Sequence, residues 1–154
     1  MEDWKSEIKN WCRDYNIPSP TFLLTRRELE RILLRGGLKW KRFTDQYPNI
    51  FSSKPKETDI KDELKVIYAK LTYNEVFGEV AGNYTTMRVP EVTILVMNGK
   101  HKNNIISLRH EFFHHLAEEK EFFDDSDFIT DEEFYAEKFA KTGMIDERFK
   151  DKLN

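Results

Sequence analysis

The sequence predicts an α+β fold: helices in the first half, a small twisted β-sheet after them, and two helices towards the end. Apolar residues recur at helical spacing up to about residue 75, two segments rich in β-branched and aromatic residues follow, and helical spacing returns after Asn104. The 154 residues contain no repeat or Gly/Ser-rich linker. We therefore expect one domain over 1–154, mainly helical over 1–75, with the sheet and the later helices over 76–142.

Three helices are predicted in the first half. The second begins at Thr25, which forms a capping-box pattern with Glu28, and ends at Gly36-Gly37. The third begins near Thr58. The first ends before the two prolines of "NIPSP", and its apolar face consists of Trp4, Ile8, Trp11, Cys12 and Tyr15.

Two strands are predicted next, in "VFGEVAGNYTTM" (76–87) and "EVTILVM" (91–97), with Pro90 between them. The short connection favours an antiparallel pair. Asn104 is then a suitable N-cap for a helix that runs to about Lys120. An acidic loop, "EFFDDSDFIT" (121–130), precedes a last helix that we expect to open at Thr130.

Composition excludes several classes of protein. No stretch approaches the roughly 18 apolar residues of a membrane helix, and the charged start "MEDWKSEIKNW" is unlike a secretory signal. We therefore expect a cytoplasmic protein with no membrane partner. The single cysteine, Cys12, is expected to be packed rather than reactive. A net charge of −3 argues against nucleic acid as the main partner, although residues 25–43 are locally basic.

Three of the four histidines lie in "SLRHEFFHHLAEE" (107–119), which contains the pattern HExxH. Side chains four residues apart share one face of a helix, so His110 and His114 could both bind one zinc ion. Glu111 then lies beside the water that completes a tetrahedral site, whose pKa falls to about 7 on zinc, and can act as its general base. The alternative is a surface helix with solvated histidines.

A catalytic zinc site needs a third protein ligand, and "TDEEFYAEKFA" (130–140) supplies Glu133. Glu137 lies one turn further on the same face and could support a ligand histidine by accepting a hydrogen bond from its other nitrogen. Two alternatives remain open: Glu133 could be the third residue of a capping box opened by Thr130, and the neighbouring Glu132 could be the ligand instead.

These motifs resemble the gluzincin metallopeptidases of the ImmA/IrrE type and the minigluzincins. The resemblance covers about Gly78 to Ala140 and rests on HExxH followed by E-x-x-A-x-x-F-A. It implies a zincin-like fold, in which the active-site helix is followed by a second ligand-bearing helix. It also implies zinc bound by His110, His114 and Glu133, catalysis by Glu111, and packing of Ala136, Phe139 and Ala140 behind the metal. Phe113 stands where the family has Gly.

The expected function is zinc-dependent hydrolysis of peptide bonds, on a specific protein substrate. A substrate would extend along "TILVM" (93–97) if that strand has an exposed edge. Four residues are candidates to stabilise the transition state, and among them His115 is expected to be exposed: Tyr84, Tyr135, His101 and His115. A chain segment such as "EFFDDSDF" or the C-terminal tail could cover the metal and keep the enzyme latent.

Two alternatives to the peptidase remain open. The first is a weak or inactive zincin-like protein that regulates a protein partner. The second is a DNA-contacting regulator that uses four arginines of the basic segment: Arg26, Arg27, Arg31 and Arg35. The substrate, the oligomeric state and the metal, which could be cobalt or manganese, are left open by the sequence.

Overall fold

A computed structural model describes residues 3–77, 80–124 and 126–153, without the side chains of 75–77 and 129–130. Gly78, at the start of the resemblance, therefore lies outside the described residues. The elements along the chain are α1 (Trp4–Asp14), β1 (Phe22–Thr25), α2 (Arg26–Leu34), α3 (Gly37–Asp45), α4 (Lys54–Phe77), β2 (Gly82–Arg88), β3 (Glu91–Met97), α5 (Ile105–Glu119), α6 (Ile129–Thr142) and a 3₁₀ helix (Glu147–Lys152). The predicted α+β class is confirmed.

The chain forms two compact units. The first, which we call the α5–α6 unit, comprises residues 1–21 and 100–154, and the second, the sheet unit, comprises residues 22–99. The single domain expected over 1–154 stays a prediction. Within the described ranges, no helix has the length together with the apolar content that a bilayer-spanning segment needs.

The sheet unit contains a three-stranded mixed sheet in the order β1-β3-β2. β2 and β3 are antiparallel, as predicted, and join through Val89 and Pro90. β1, which the sequence analysis missed, pairs with β3 in parallel. β3 is therefore the central strand rather than an exposed edge, and Ile94 and Val96 are fully buried. A peptide cannot add to β3 by backbone hydrogen bonds, so the predicted substrate edge at 93–97 is wrong.

Helix α4 is longer than the sequence indicated. It runs from Lys54 to Phe77, so Val76 and Phe77 are helical although they were assigned to a strand. Ile60, Leu64, Ile67 and Leu71 are all fully buried on one side of it. The β propensity of Val76 and Phe77 did not prevent the helix from continuing, since such a preference is worth about 1 kcal/mol or less and tertiary context can outweigh it.

In the α5–α6 unit, the start of α5 follows the prediction. The side chain of Asn104 accepts hydrogen bonds from the backbone N–H groups of Ile106 and Ser107, at 3.0 and 3.3 Å. The start of α6 does not, because the helix begins at Ile129 with Phe128 as its N-cap residue. Thr130 is therefore inside the helix, and the prediction that it opens the helix is wrong.

Aromatic side chains pack the core of the α5–α6 unit. The ring of Phe112 on α5 lies 5.4 Å from Trp11 of α1 and 6.3 Å from Phe139 of α6, measured between centroids. Phe149 of the 3₁₀ helix is buried and stacks on Phe122 at 4.6 Å. Both the acidic loop and the C-terminal segment are thus anchored in this core, and the two helices that carry HExxH and Glu133 are packed on each other.

Candidate metal centre

The candidate centre lies on α5 and α6. Helical spacing places His110 and His114 of α5 on one face, one turn apart, with their ring centroids separated by 5.0 Å. The contacts between the helices run in opposite directions along the chain, because His114 lies against Glu133 whereas His110 also lies against the later Glu137. The two helices are therefore antiparallel, and the first turns of α6 face the middle of α5.

Three side chains meet at one point. The Nε2 atoms of His110 and His114 are 3.3 Å apart. The two carboxylate oxygens of Glu133 lie 3.2 Å from Nε2 of His110 and 3.1 Å from Nε2 of His114. These three residues form a group that could hold a metal ion. The structure thus brings together the three residues that the sequence nominated as ligands.

The spacing and chemistry of this donor set fit zinc. A tetrahedral zinc ion with ligands at about 2.0–2.1 Å places neighbouring ligand atoms about 3.3 Å apart, close to the separations observed here. Two imidazole nitrogens and one carboxylate are also a ligand set known from catalytic zinc sites, and they leave one coordination position open. Glu133 is about half exposed, so the centre is accessible from solvent on that side.

The remaining nitrogen of each histidine faces a carboxylate from α6. Nδ1 of His114 forms a 2.8 Å hydrogen bond with Glu132. Because a carboxylate can only accept, Nδ1 carries the proton and Nε2 keeps its lone pair for a metal. Nδ1 of His110 lies equally close, at 2.8 Å, to Glu137, but this contact lacks the direction of a hydrogen bond. Only His114 therefore has its ring orientation fixed by this kind of bond.

The structure around the start of α6 tests the two alternatives that the sequence left open: a capping role for Glu133, and Glu132 as the ligand. Since the helix begins at Ile129, Glu133 is its fifth residue and cannot be the third residue of a capping box. The third residue is Asp131, whose carboxylate accepts a hydrogen bond from the Phe128 N–H at 3.4 Å. Glu132 contacts Nδ1 of His114 and not the point where the Nε2 atoms meet. Glu132 is thus a supporting group, a role that the sequence analysis had considered only for Glu137.

Glu111 is buried beside the candidate ligands, with 6% of its surface exposed. Burial raises the pKa of its carboxyl from 4.5 to about 7, and the charge of Glu133 acts in the same direction while His114 opposes it. A nearby cation would lower this pKa again. In the protein without metal, Glu111 therefore takes up and releases a proton near neutral pH, as a general base must.

Burial and the neighbouring carboxylates have opposite effects on the pKa of His114. Burial disfavours the charged imidazolium, whereas the hydrogen bond to Glu132 and the charges of Glu111 and Glu133 favour it. The carboxylates prevail, and the pKa of His114 is raised above its ordinary value. Acidic groups thus surround this imidazole, as expected of a place that holds a divalent cation.

The four candidates for transition-state stabilisation lie in different surroundings. His115 is fully buried, and its Nε2 donates a 2.7 Å hydrogen bond to the carbonyl of Pro18, so the expectation that it is exposed is wrong. Burial lowers the pKa of His115 and keeps the ring neutral. Tyr135 packs edge-on against Phe149 at 4.9 Å. His101 lies in the turn before α5, and Tyr84 lies on β2 in the sheet unit.

The residues behind the centre pack as expected. Ala136, Phe139 and Ala140 are buried on the inner face of α6. Phe113 fills the position where the resembling family has Gly, and its ring lies 5.8 Å from that of Phe139. The larger side chain is accommodated because it points into the aromatic core rather than towards the candidate ligands.

The protein-family models, the curated proteins and the solved structures with which the chain was compared include no match to it. The interpretation of the centre therefore rests on its own geometry and chemistry.

Proposed function

We propose that this chain is a zinc-dependent peptidase with a zincin-like fold of the gluzincin kind. The observation that carries the proposal is the convergence of His110 Nε2, His114 Nε2 and the Glu133 carboxylate within 3.3 Å of one another, next to a buried glutamate. The three groups would hold zinc, and Glu111 is the catalytic residue. A cytoplasmic location and a specific peptide or protein substrate belong to the same proposal.

Each side chain has a distinct task in the proposed reaction. Zinc in such a site activates water and polarises the scissile carbonyl. Glu111 accepts a proton from the attacking water and passes it to the amide nitrogen as the C–N bond breaks, so that the products are a free amine and a carboxylate. Burial raises the pKa of Glu111 in the metal-free protein, and a bound cation would lower it, so Glu111 would face the water as a carboxylate that can accept a proton.

Two further carboxylates lie against the ligand histidines, and one of them fixes a ring by a hydrogen bond. The hydrogen bond from His114 Nδ1 to Glu132 selects the tautomer whose Nε2 can bind a metal. Glu137 places negative charge 2.8 Å from Nδ1 of His110. Both carboxylates increase the electron-donating strength of the imidazoles, which favours retention of the metal.

The proposal is tested by metal content and cleavage in matched variants. The wild type, His114→Ala, Glu133→Ala and Glu111→Gln are purified from zinc-supplemented cells, with Glu118→Gln as a control on the same helix. We expect about one zinc per chain in the wild type and in both glutamine variants, and a loss of zinc in the two alanine variants.

Cleavage is then measured on a library of unstructured peptides, with products identified by mass spectrometry. Glu111→Gln should lose at least 100-fold in rate, about the contribution of a general base, while Glu118→Gln stays active. Chelation should abolish cleavage, and added zinc should restore it. A wild type that holds no metal overturns the proposal, as does a Glu111→Gln variant with full activity.

One surface, on α2, favours a second candidate function. In that case the chain would regulate a partner that binds to the sheet unit. Exposed side chains of α2 and its C-terminal end include Arg27, Arg31 and Arg35, and Leu34 is 66% exposed among them. Arg26 differs, because it is half-buried and donates a hydrogen bond to Thr72 at 3.2 Å.

Charge reversal separates the two functions. Replacement of Arg27, Arg31 and Arg35 by glutamate should leave peptide cleavage unchanged if the chain is an enzyme. If the chain is a regulator, the same variant should lose its partner, while Glu111→Gln keeps it. Binding of duplex DNA that weakens steeply with salt would identify that partner as nucleic acid.

A further inference from the structure

Arg109 reaches from α5 to the C-terminal end of α6. Its guanidinium Nη1 donates to the carbonyl oxygen of Ala140 at 3.4 Å. Gly143 follows the helix with φ of +70°, and a Cβ atom there would lie 3.0 Å from Cζ of Arg109. The side chain thus occupies the space that a larger residue at position 143 would need.

The chemistry of a helix end explains this contact. The last carbonyls of an α-helix have no partner within the helix, and together they carry partial negative charge. At the end of α6, the N–H of Gly143 binds the carbonyl of Phe139 at 2.7 Å. The Ala140 carbonyl is left for a cation, and Arg109 provides one. Gly143 has the left-handed conformation that glycine adopts without strain.

This contact joins the same two helices that carry the metal centre. Arg109 directly precedes His110 on α5, and Ala140 lies on the same helix as Glu133, about 10 Å further along its axis at 1.5 Å per residue. A slide or rotation of α6 by even 1 Å would move the Glu133 carboxylate out of its present spacing from the two Nε2 atoms. The aromatic contacts between the helices are not directional, so they resist such a slide weakly. The directional contacts are the bond from His114 Nδ1 to Glu132 at the start of α6 and the bond from Arg109 to Ala140 at its end.

We propose that Arg109 is a positioning residue that holds α6 in register with α5, so that Glu133 stays within reach of the metal. Gly143 leaves free the space that the Arg109 side chain occupies. The inference rests on the proposed metal centre. Arg109 acts through Glu133 and does not touch the metal itself. Its replacement should therefore weaken metal binding more strongly when Glu133 is present than when Glu133 is absent.

Cobalt(II) binding tests the inference without any substrate. Cobalt is titrated into the metal-free wild type, Arg109→Met, Arg109→Lys and Lys141→Met, and both the affinity and the visible absorption of the bound ion are recorded. Lys141→Met is the matched control, because it removes an exposed positive charge from the same end of α6. The titration is repeated for Glu133→Ala and for the double variant Arg109→Met/Glu133→Ala.

We expect Arg109→Met to bind cobalt about tenfold more weakly or worse, in the range found when groups that support a ligand are removed. Its absorption band should also shift, since the carboxylate leaves its place. Arg109→Lys should recover part of the loss, because an ammonium can still donate to the Ala140 carbonyl. Lys141→Met should stay within twofold of the wild type. In the Glu133→Ala background, Arg109→Met should cause a clearly smaller loss, because only the supporting contacts of Glu132 and Glu137 are then left to be displaced.

Two results would overturn the inference. One is an Arg109→Met variant with wild-type affinity and absorption; the other is an equal loss with and without Glu133, which would indicate general destabilisation. If the wild type binds no cobalt at all, the metal centre itself is refuted, and hydrogen exchange of the metal-free proteins decides the role of Arg109. Hydrogen exchange over residues 133–143 should then be faster in Arg109→Met than in Lys141→Met. Equal rates would contradict the positioning role of Arg109.

Discussion

Replacement of Glu111 by glutamine should stabilise the metal-free protein at neutral pH, even though it removes the proposed catalytic base. Glu111 is 6% exposed, and its pKa is raised from 4.5 to about 7. A carboxyl group with a raised pKa in the folded state stabilises the fold only while it is protonated. Its contribution is therefore lost as the pH rises from about 4.5 to 7, and it stays lost above that range.

The size of the effect follows from the two pKa values. A difference of this size corresponds to about 3–4 kcal/mol at full ionisation, at about 1.4 kcal/mol for each pKa unit. Glutamine resembles the protonated carboxyl group at every pH. The gain in the free energy of unfolding should thus be below about 1 kcal/mol at pH 5 and rise towards about 3 kcal/mol at pH 7.5.

Urea unfolding of the metal-free proteins between pH 5 and 8, in the presence of a chelator, measures this gain. His114 also has a raised pKa, and its stabilising charge is lost as pH rises through the folded value, in the same direction as for Glu111. Because the charge of Glu111 is one of the causes of the raised His114 pKa, the difference between wild type and variant includes a smaller contribution from His114. Glu118→Gln, on an exposed part of α5, is the control and should change stability little at any pH. Equal stability of wild type and Glu111→Gln at pH 7.5 would refute the reasoning.

Three further predictions concern the support of the site. Calorimetric zinc titration should show a 10- to 100-fold loss of affinity for Glu132→Ala, against less than about fivefold for Glu137→Ala, whose contact is more exposed and lacks hydrogen-bond geometry; the opposite ranking would contradict the assigned roles. Phe149→Ala should lower the free energy of unfolding by about 3–5 kcal/mol, because the ring is buried and stacked. Higher peptidase activity with unchanged stability would instead support a covering, latent tail. Asn104→Ala should cost about 1 kcal/mol through loss of the cap of α5; in urea unfolding, a change below about 0.3 kcal/mol would argue against that cap.

Local patterns predicted much of the fold. The capping box of Thr25 and Glu28 is present, with both hydrogen bonds formed. Asn104 caps α5, and the antiparallel hairpin of β2 and β3 forms. These features depend on residues close in sequence, so spacing and side-chain chemistry are sufficient to predict them.

Other features depend on partners distant in the chain. β1 is only four residues long, and it is a strand because it pairs with β3, about 70 residues later. That pairing also places β3 in the centre of the sheet and removes the edge that a substrate was expected to use. His115 is buried and donates a hydrogen bond to the Pro18 carbonyl, a partner that the helical pattern around it does not indicate.

The sequence by itself determined which residues share a helix face, because 3.6 residues per turn fix that relation: His110 lies above His114, and Glu133 lies one turn before Glu137. Only the tertiary structure decided that α6 packs antiparallel on α5. That packing brings Glu133 to the two Nε2 atoms and Glu132 to Nδ1 of His114. It also brings the Ala140 carbonyl, at the end of α6, within hydrogen-bond distance of Arg109. The register between two helices depends on side chains packed across their interface, which spacing along one chain segment does not specify.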